Sequence, residues 1–309
     1  MTNNRGYYPL HELIDDTYET IHTLRSRPGL VTGYSTGFVD LDGLIGGLKP
    51  GELIVIASQA SMGKSTLALN IAKYLSVKRI PKVATAIFSL EIPKTQLVMR
   101  LLSATASISH GRMRTGALND SDLLKLNGAK EMLRLSEIYI DDTSGIDINE
   151  LMTKVRRLKT NHNVGLIIID YLQLMRDESK SAISPVEISI ISRSLKTLAR
   201  ELNITIIVLS KLHRTVKKLK KNALRPELTD LRDAGSLEND ADAILFIYRE
   251  SVYCRKCRRR DGTCMRGHEN SAEIIVAKQR SGAIGTISLA YIDETLSFKN
   301  LTDRGLIEQ

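Results

Sequence analysis

Residues 53–69 read LIVIASQASMGKSTLAL: an unbroken apolar run, a short polar loop closing on Gly63-Lys64-Ser65, and the start of a helix. A loop that cradles phosphate needs backbone amides turned inward and a helix N-terminus behind them. It also needs a lysine for the β- and γ-phosphates and a hydroxyl for Mg2+. Ser61, Met62, Gly63, Lys64, Ser65 and Thr66 supply these parts in order. Ser58 stands where the usual pattern has its first glycine, and a glycine-lysine-serine triplet in an arbitrary loop means little. The strand before and the helix after decide for a phosphate loop, and with it for a parallel α/β sheet.

Outward from this stretch, apolar runs at 53–57, 83–90, 138–141, 166–170, 204–209 and 244–248 alternate with helical patterns at 63–79, 94–107, 119–135, 147–162 and 187–202. Several runs are hydrophobic without alternation, as strands covered on both faces are. The pattern predicts an α/β fold with a mostly parallel sheet flanked by helices and ligands at the carboxyl ends of the strands. Two such ends carry carboxylates. Asp170 closes the run beginning at Gly165 and fits a residue that holds the Mg2+ shell; alone, an aspartate there is often a cap. Glu91 follows Phe88-Ser-Leu and fits a base that orients or deprotonates water; alone, it would be a solvated carboxylate. The polar segments 176–185 and 217–226 read as loops.

Ahead of the phosphate loop, Leu10, Leu13, Ile14, Thr17, Tyr18, Ile21 and Leu24 recur at helical spacing until Pro28-Gly29. This divides the chain into a helix within 1–28 and an ATPase domain over 29–309. Burying each such Leu or Ile stabilises by about 1.5–3 kcal/mol, so the stripe calls for a dock on its own domain or on a neighbouring chain.

Charge and cysteine usage narrow the partners. Lys and Arg number 44 against 35 Asp and Glu, giving +9 and a pI near 9.4, which favours a polyanion such as nucleic acid. No apolar run is long enough to span a membrane and the N-terminus lacks a signal peptide, so a cytoplasmic protein is expected. With no Trp and 4 Phe, an aromatic stacking platform for single strands is disfavoured. Backbone contact by Arg214, Lys217, Lys218, Lys220, Lys221, Arg225 and Arg232 is left, the ordinary alternative being that some of them form a solvated face. All three cysteines fall within the excursion 254–268, as Cys254-x2-Cys257-x6-Cys264-x3-His268. Three thiolates and an imidazole suit tetrahedral Zn2+. The other reading is a basic surface loop with incidental cysteines, since x6 is not a standard finger spacing.

In order and spacing, STGFVDLDGLIGGLKPGELIVIAS, SMGKST, IFSLEIP, IIIDYLQLM, EISIISRSLKTLARELNI, DLRDAGSLENDADAILFIYR and AEIIVAKQRSG resemble the C-terminal, RecA-like motor domain of the DnaB-family replicative helicases. The resemblance covers nearly the whole chain. The first stretch also fits RadA- or KaiC-like ATPases; Asp230 to Asp242 followed by AKQR does not. The resemblance implies a RecA-like P-loop core and a linker helix that docks on the adjacent subunit. It implies ATP and Mg2+, a hexameric ring around single-stranded DNA, 5′-to-3′ unwinding, and contact with a primase or loader.

Residue by residue, the resemblance implies Lys64 and Ser65 on phosphate and Mg2+, Asp170 supporting the metal and Glu91 activating water. Lys278 and Arg280, which on an edge strand would ordinarily be solvated charge, match the pair that reaches into a neighbour's nucleotide. Arg232, Asp233 and Gly235 match the loop that touches DNA phosphates. Two departures stand out. Only a few residues precede the first helix where the family has an N-terminal collar domain, which fits either a truncated form or a natural motor-only helicase. Lys211 occupies the γ-phosphate-sensing position, where the family usually has glutamine; a lysine contacts phosphate as a point charge. The alternative reading is a DNA-binding ATPase that does not unwind, such as a RadA-like factor or a decoy subunit of a helicase ring.

Overall fold

Amphipathic and apolar patterns become elements in the predicted order. The computed structural model describes residues 8–26, 31–172, 185–212, 225–234, 236–254, 270–302 and 305–306. Helix α1 (Leu10–Ser26) buries none of its residues; Leu10, Ile14, Tyr18 and Ile21 are all exposed. Its apolar stripe therefore has no cover within the described chain. Helix α2 (Val39–Ile45) follows, fixed by the buried Asp42 carboxylate, which accepts hydrogen bonds from the Thr36 N–H at 2.8 Å, the Thr36 hydroxyl at 2.7 Å and the Ser35 hydroxyl at 2.6 Å.

Strand β1 (Leu53–Ser58) enters the core and α3 (Lys64–Lys73) leaves it, continued by a π-helical turn over Tyr74–Lys78. The alternating part comprises β2 (Thr85–Ser89), α4 (Lys94–Ala106), α5 (His110–Thr115), α6 (Asp120–Arg134), β3 (Ile138–Asp141), α7 (Ile148–His162), β4 (Leu166–Asp170), α8 (Pro185–Leu202) and β5 (Thr205–Lys211). A 3-10 segment (Leu228–Ala234) and the single turn α9 (Leu237–Asp240) lead into β6 (Ala243–Tyr248). Then come β7 (Ser271–Gln279), β8 (Gly285–Ile292), β9 (Ser297–Thr302) and β10 (Gly305–Leu306).

The strands form a single sheet in the order β10-β9-β8-β7-β6-β1-β5-β4-β2-β3. From β6 to β3 all pairings are parallel; from β6 outward through β10 they are antiparallel. Unbroken apolar runs arise because both faces of the central strands are covered. Ile54 and Ile56 pack in one cluster with Leu67 and Ile71 of α3 and Leu97 of α4. Leu53, Val55 and Ala57 join the other, with Leu195 and Leu198 of α8 and Leu151 of α7.

Each strand read from the sequence forms, with 83–90 shortened to Thr85–Ser89. Helices α2 and α5 and the hairpin strands β8 to β10 were not anticipated. One placement is corrected: β7, which carries Lys278, is not an edge strand, since β6 and β8 flank it. Among the described residues, no helix is long and apolar enough to cross a membrane.

Candidate active site

Strand β1 brings the chain to the carboxyl edge of the sheet, and residues 59–63 turn it back into α3. Ser61 and Gly63 take left-handed backbone conformations, with φ of 63° and 104°. At Gly63 the space also excludes a side chain: an added Cβ would stand 3.0 Å from Phe298 Cζ and 3.1 Å from the Tyr291 ring. Ser58 needs no such freedom because it closes β1, and its hydroxyl is put to use. It accepts from Lys64 Nζ at 3.3 Å and donates to the Gln59 carbonyl at 2.8 Å. Lys64 Nζ also donates to the carbonyls of Ser58 at 3.0 Å and Gln59 at 3.3 Å. The ammonium is thus folded back onto its own loop. Burial lowers its pKa to about 8, partly opposed by the Asp170 carboxylate.

The neighbouring strands bring the remaining groups to the same edge. Asp170 ends β4, 4% exposed, with its carboxyl pKa raised by burial against a hydrogen bond with the Ser65 side chain. Ser89 is in register with Asp170, and the Leu90 N–H donates to the Asp170 carbonyl at 2.7 Å, so Glu91 arrives beside it. On β5, Lys211 is in register with Ser58. Its Nζ donates to Glu91 Oε1 at 3.0 Å and lies 3.8 Å from the centroid of the Tyr171 ring. Glu91 is therefore half of an exposed ion pair. Ser65 and Asp170 offer a hydroxyl and a buried carboxylate, hard oxygen donors of the kind that hold Mg2+ together with phosphate and water.

Behind the loop stand residues that sequence reasoning missed. Arg249 is buried, with Nη1 donating to the Ser61 carbonyl at 3.4 Å and Cζ 3.6 Å from the centroid of the Tyr291 ring. The Tyr253 hydroxyl donates to Gln59 Oε1 at 2.6 Å. These partners are 188 and 194 residues apart in sequence; the only local signal was polar residues following an apolar strand.

Lys278 and Arg280 lie at the other edge of the sheet. Ala243 is level with Ile54 on β1 and with Gln279 on β7, which runs antiparallel. The phosphate loop begins only after Ser58, roughly 13 Å further along at about 3.3 Å per residue. These cations therefore do not face the phosphate loop of their own chain. Lys278 Nζ donates to the carbonyls of Glu238 and, at 3.0 Å, Ala241; Arg280 Nη2 donates to that of Asn239 at 2.7 Å. They satisfy carbonyls around the C-terminal end of α9, where cations are favoured. Arg280 Nη1 is also 3.4 Å from Asp242 Oδ1.

Arg232 and Asp233 fall in the 3-10 segment Leu228–Ala234. Gly235 lies outside the described residues, as do Arg214, Lys217, Lys218, Lys220 and Lys221. Arg225 is already engaged, with Nη2 donating to Glu273 Oε1 at 2.5 Å. Cys254 is half-buried after the 3-10 turn Glu250–Val252, its N–H donating to the Glu250 carbonyl at 3.1 Å. Cys257, Cys264 and His268 lie outside the described residues. Among the described residues, no cluster of three or more His, Cys, Asp or Glu is placed to hold a metal ion.

Comparison with known proteins bears on the whole arrangement. The family model "DnaB-like helicase C terminal domain" matches residues 33–300. Replicative DNA helicase DnaC of Bacillus subtilis (strain 168) is 41% identical over 303 residues, covering 98% of this chain and 64% of that protein. Replicative DNA helicase DnaB of Geobacillus stearothermophilus is 42% identical over 296 residues, covering 96% of this chain and 62% of that protein. The chain thus spans less than two thirds of the length of these relatives. A solved DnaB-like replicative helicase, described with its interactions with primase, superimposes with a TM-score of 0.80 at 35% identity, covering 93% of this chain and 67% of that one.

Proposed function

The chain belongs to the family of DnaB-like helicase C-terminal domains, and from that premise we propose that it is the motor of a replicative DNA helicase in the cytoplasm. It hydrolyses ATP to move on single-stranded DNA and part the duplex, 5′ to 3′ as the resemblance implies. One observation carries the reading most: Lys64, Ser65, Asp170, Glu91 and Lys211 converge at the carboxyl edge of the sheet, while Lys278 and Arg280 sit at the opposite edge.

In this mechanism the amides of residues 61–66 and Lys64 hold the β- and γ-phosphates, Lys64 exchanging carbonyl acceptors for phosphate oxygens. Ser65 and Asp170 would hold Mg2+, which would supply charge neutralisation for the phosphate oxygens. Glu91 orients the attacking water and takes its proton. Lys278 and Arg280 complete the site of an adjacent chain, leaving the α9 carbonyls to do so. Helix α1, with its stripe exposed, docks on that neighbour, in a ring that by the resemblance is a hexamer. Arg232, Asp233 and Gly235 face the phosphates of the strand in the channel, and a primase or loader is the expected further partner.

Strand displacement on a forked duplex, run beside DNA-stimulated ATP hydrolysis, tests the proposal. Displacement that requires ATP and Mg2+ is expected. Hydrolysis without displacement would favour the non-unwinding ATPase instead.

Zinc enters only through Cys254, Cys257, Cys264 and His268, and is decided by metal content of tag-free protein. The metal reading requires about one equivalent per chain and easier unfolding of Cys257→Ser. Less than about a tenth of an equivalent, with unchanged stability, supports the plain basic loop.

A further inference from the structure

The ion pair between Lys211 and Glu91 joins two residues 120 positions apart, each delivered to the phosphate edge by its own strand. We propose that Lys211 is a positioning residue that exchanges partners: it holds Glu91 while the site lacks a γ-phosphate and releases it when a γ-phosphate takes its charge. The inference rests on the ATPase reading above.

Three features support an exchange rather than a fixed brace. First, the backbone fixes where Lys211 starts: it is in register with Ser58, and the next residue's N–H, that of Leu212, donates to the Ser58 carbonyl at 3.0 Å. Its root is therefore fixed, while the side chain is a flexible four-carbon stem that can redirect its ammonium. The charge is also close enough to the phosphate site for Lys64 to feel it. Second, the pair is accessible, with side chains 30% and 45% exposed. Exposed pairs of this kind shift an equilibrium by no more than about fivefold. The γ-phosphate, with several charged oxygens, is the stronger acceptor. Third, the Tyr171 ring lies 3.8 Å from Lys211 Nζ, so the cation keeps a favourable face to rest against as it turns.

The chemical consequence falls on Glu91. An ammonium on Oε1 makes the carboxylate a weaker base and holds it turned toward Lys211, while Oε2 keeps its lone pairs. Before ATP binds, the pair keeps the base weaker and turned aside; afterwards the same lysine marks the γ-phosphate and Glu91 turns to water. ADP offers nothing at that position, so the pair stays closed.

Equilibrium binding of ATPγS and of ADP to the full chain with Mg2+ tests this in wild type, Glu91→Gln, Lys211→Gln and the double variant. ADP affinity is expected to be the same in all four, which also reports that each is folded. Glu91→Gln is expected to tighten ATPγS up to about fivefold by releasing Lys211, and to have no effect once Lys211 is Gln. Such non-additivity is the signature of a shared partner. Lys211→Arg, which keeps the charge, should preserve the tightening. Equal tightening in both backgrounds would mean that Glu91 repels the phosphate directly, and no tightening in either would mean that the pair is uncoupled from nucleotide; each overturns the exchange. Failure of wild type to bind either nucleotide would instead overturn the ATPase reading, and the exchange with it.

Discussion

Lys64→Ala is expected to remove ATP turnover, a loss of about a hundred- to a thousandfold or more, the scale seen when one preorganised charge-stabilising donor is deleted. The ammonium is the buried cation of the loop, 8% exposed, and donates to Ser58 and Gln59 at 3.0–3.3 Å. Its neighbourhood holds the raised-pKa carboxyl of Asp170, so alanine would also leave that carboxylate less compensated. Nucleotide affinity should fall along with rate, because the same charge meets ground-state phosphates. Glu91→Gln makes the contrast: nucleotide is retained while hydrolysis drops by about 10²–10⁴, the usual contribution of a general base. Steady-state hydrolysis beside equilibrium binding measures both. Turnover by Glu91→Gln at the wild-type rate would remove Glu91 from the role of base.

Arg280→Ala is expected to bind ATP normally and to lose hydrolysis by about 10³–10⁵, the range for a finger acting in trans. The geometry behind it is the antiparallel turn of β7 against β6, which leaves Arg280 beside Asp242 and the α9 carbonyls. Mixing Arg280→Ala with Lys64→Ala should then restore activity that neither has alone. At equal proportions about one junction in four would pair an intact loop with an intact cation in a head-to-tail ring. Native mass measurement on the mixture establishes that the two chains assemble together. Co-assembly without any recovery of hydrolysis would count against action in trans.

What could be read from the sequence was whatever is local along it. The phosphate loop is written in consecutive residues, strand then loop then helix, and Asp170 and Glu91 are each announced by the apolar strand that delivers them. Ser58 looked like a defect in the pattern and is instead a strand residue whose hydroxyl serves Lys64. What could not be read depends on register between distant strands. Nothing local says that Lys211 meets Glu91, that Arg249 reaches the Ser61 carbonyl, or that Lys278 grips α9. Strands β8 and β9 escaped notice because Gly285 to Ile292 is only partly apolar, with Thr286 and Ser288 turned outward beside β7. Its companion Phe298 is known as a core residue only once it is seen against Gly63. The exposed stripe of α1 was legible as a pattern, but a pattern does not name its dock.

If Lys278 and Arg280 act in trans as proposed, the reversal of chain direction at β7 sets the rules of assembly. On that reading a subunit has a socket on one edge and a plug on the other. A two-fold pair could fill both sockets only if each plug reached its partner's socket within one shared interface; with socket and plug on opposite edges, repeated head-to-tail contact is the arrangement that fills them. An open row of any length keeps one vacant socket and one idle plug at its ends. Closing the row removes both at once, which on that reading would make the nucleotide itself a fastener whose last contact is also the one that shuts the circle.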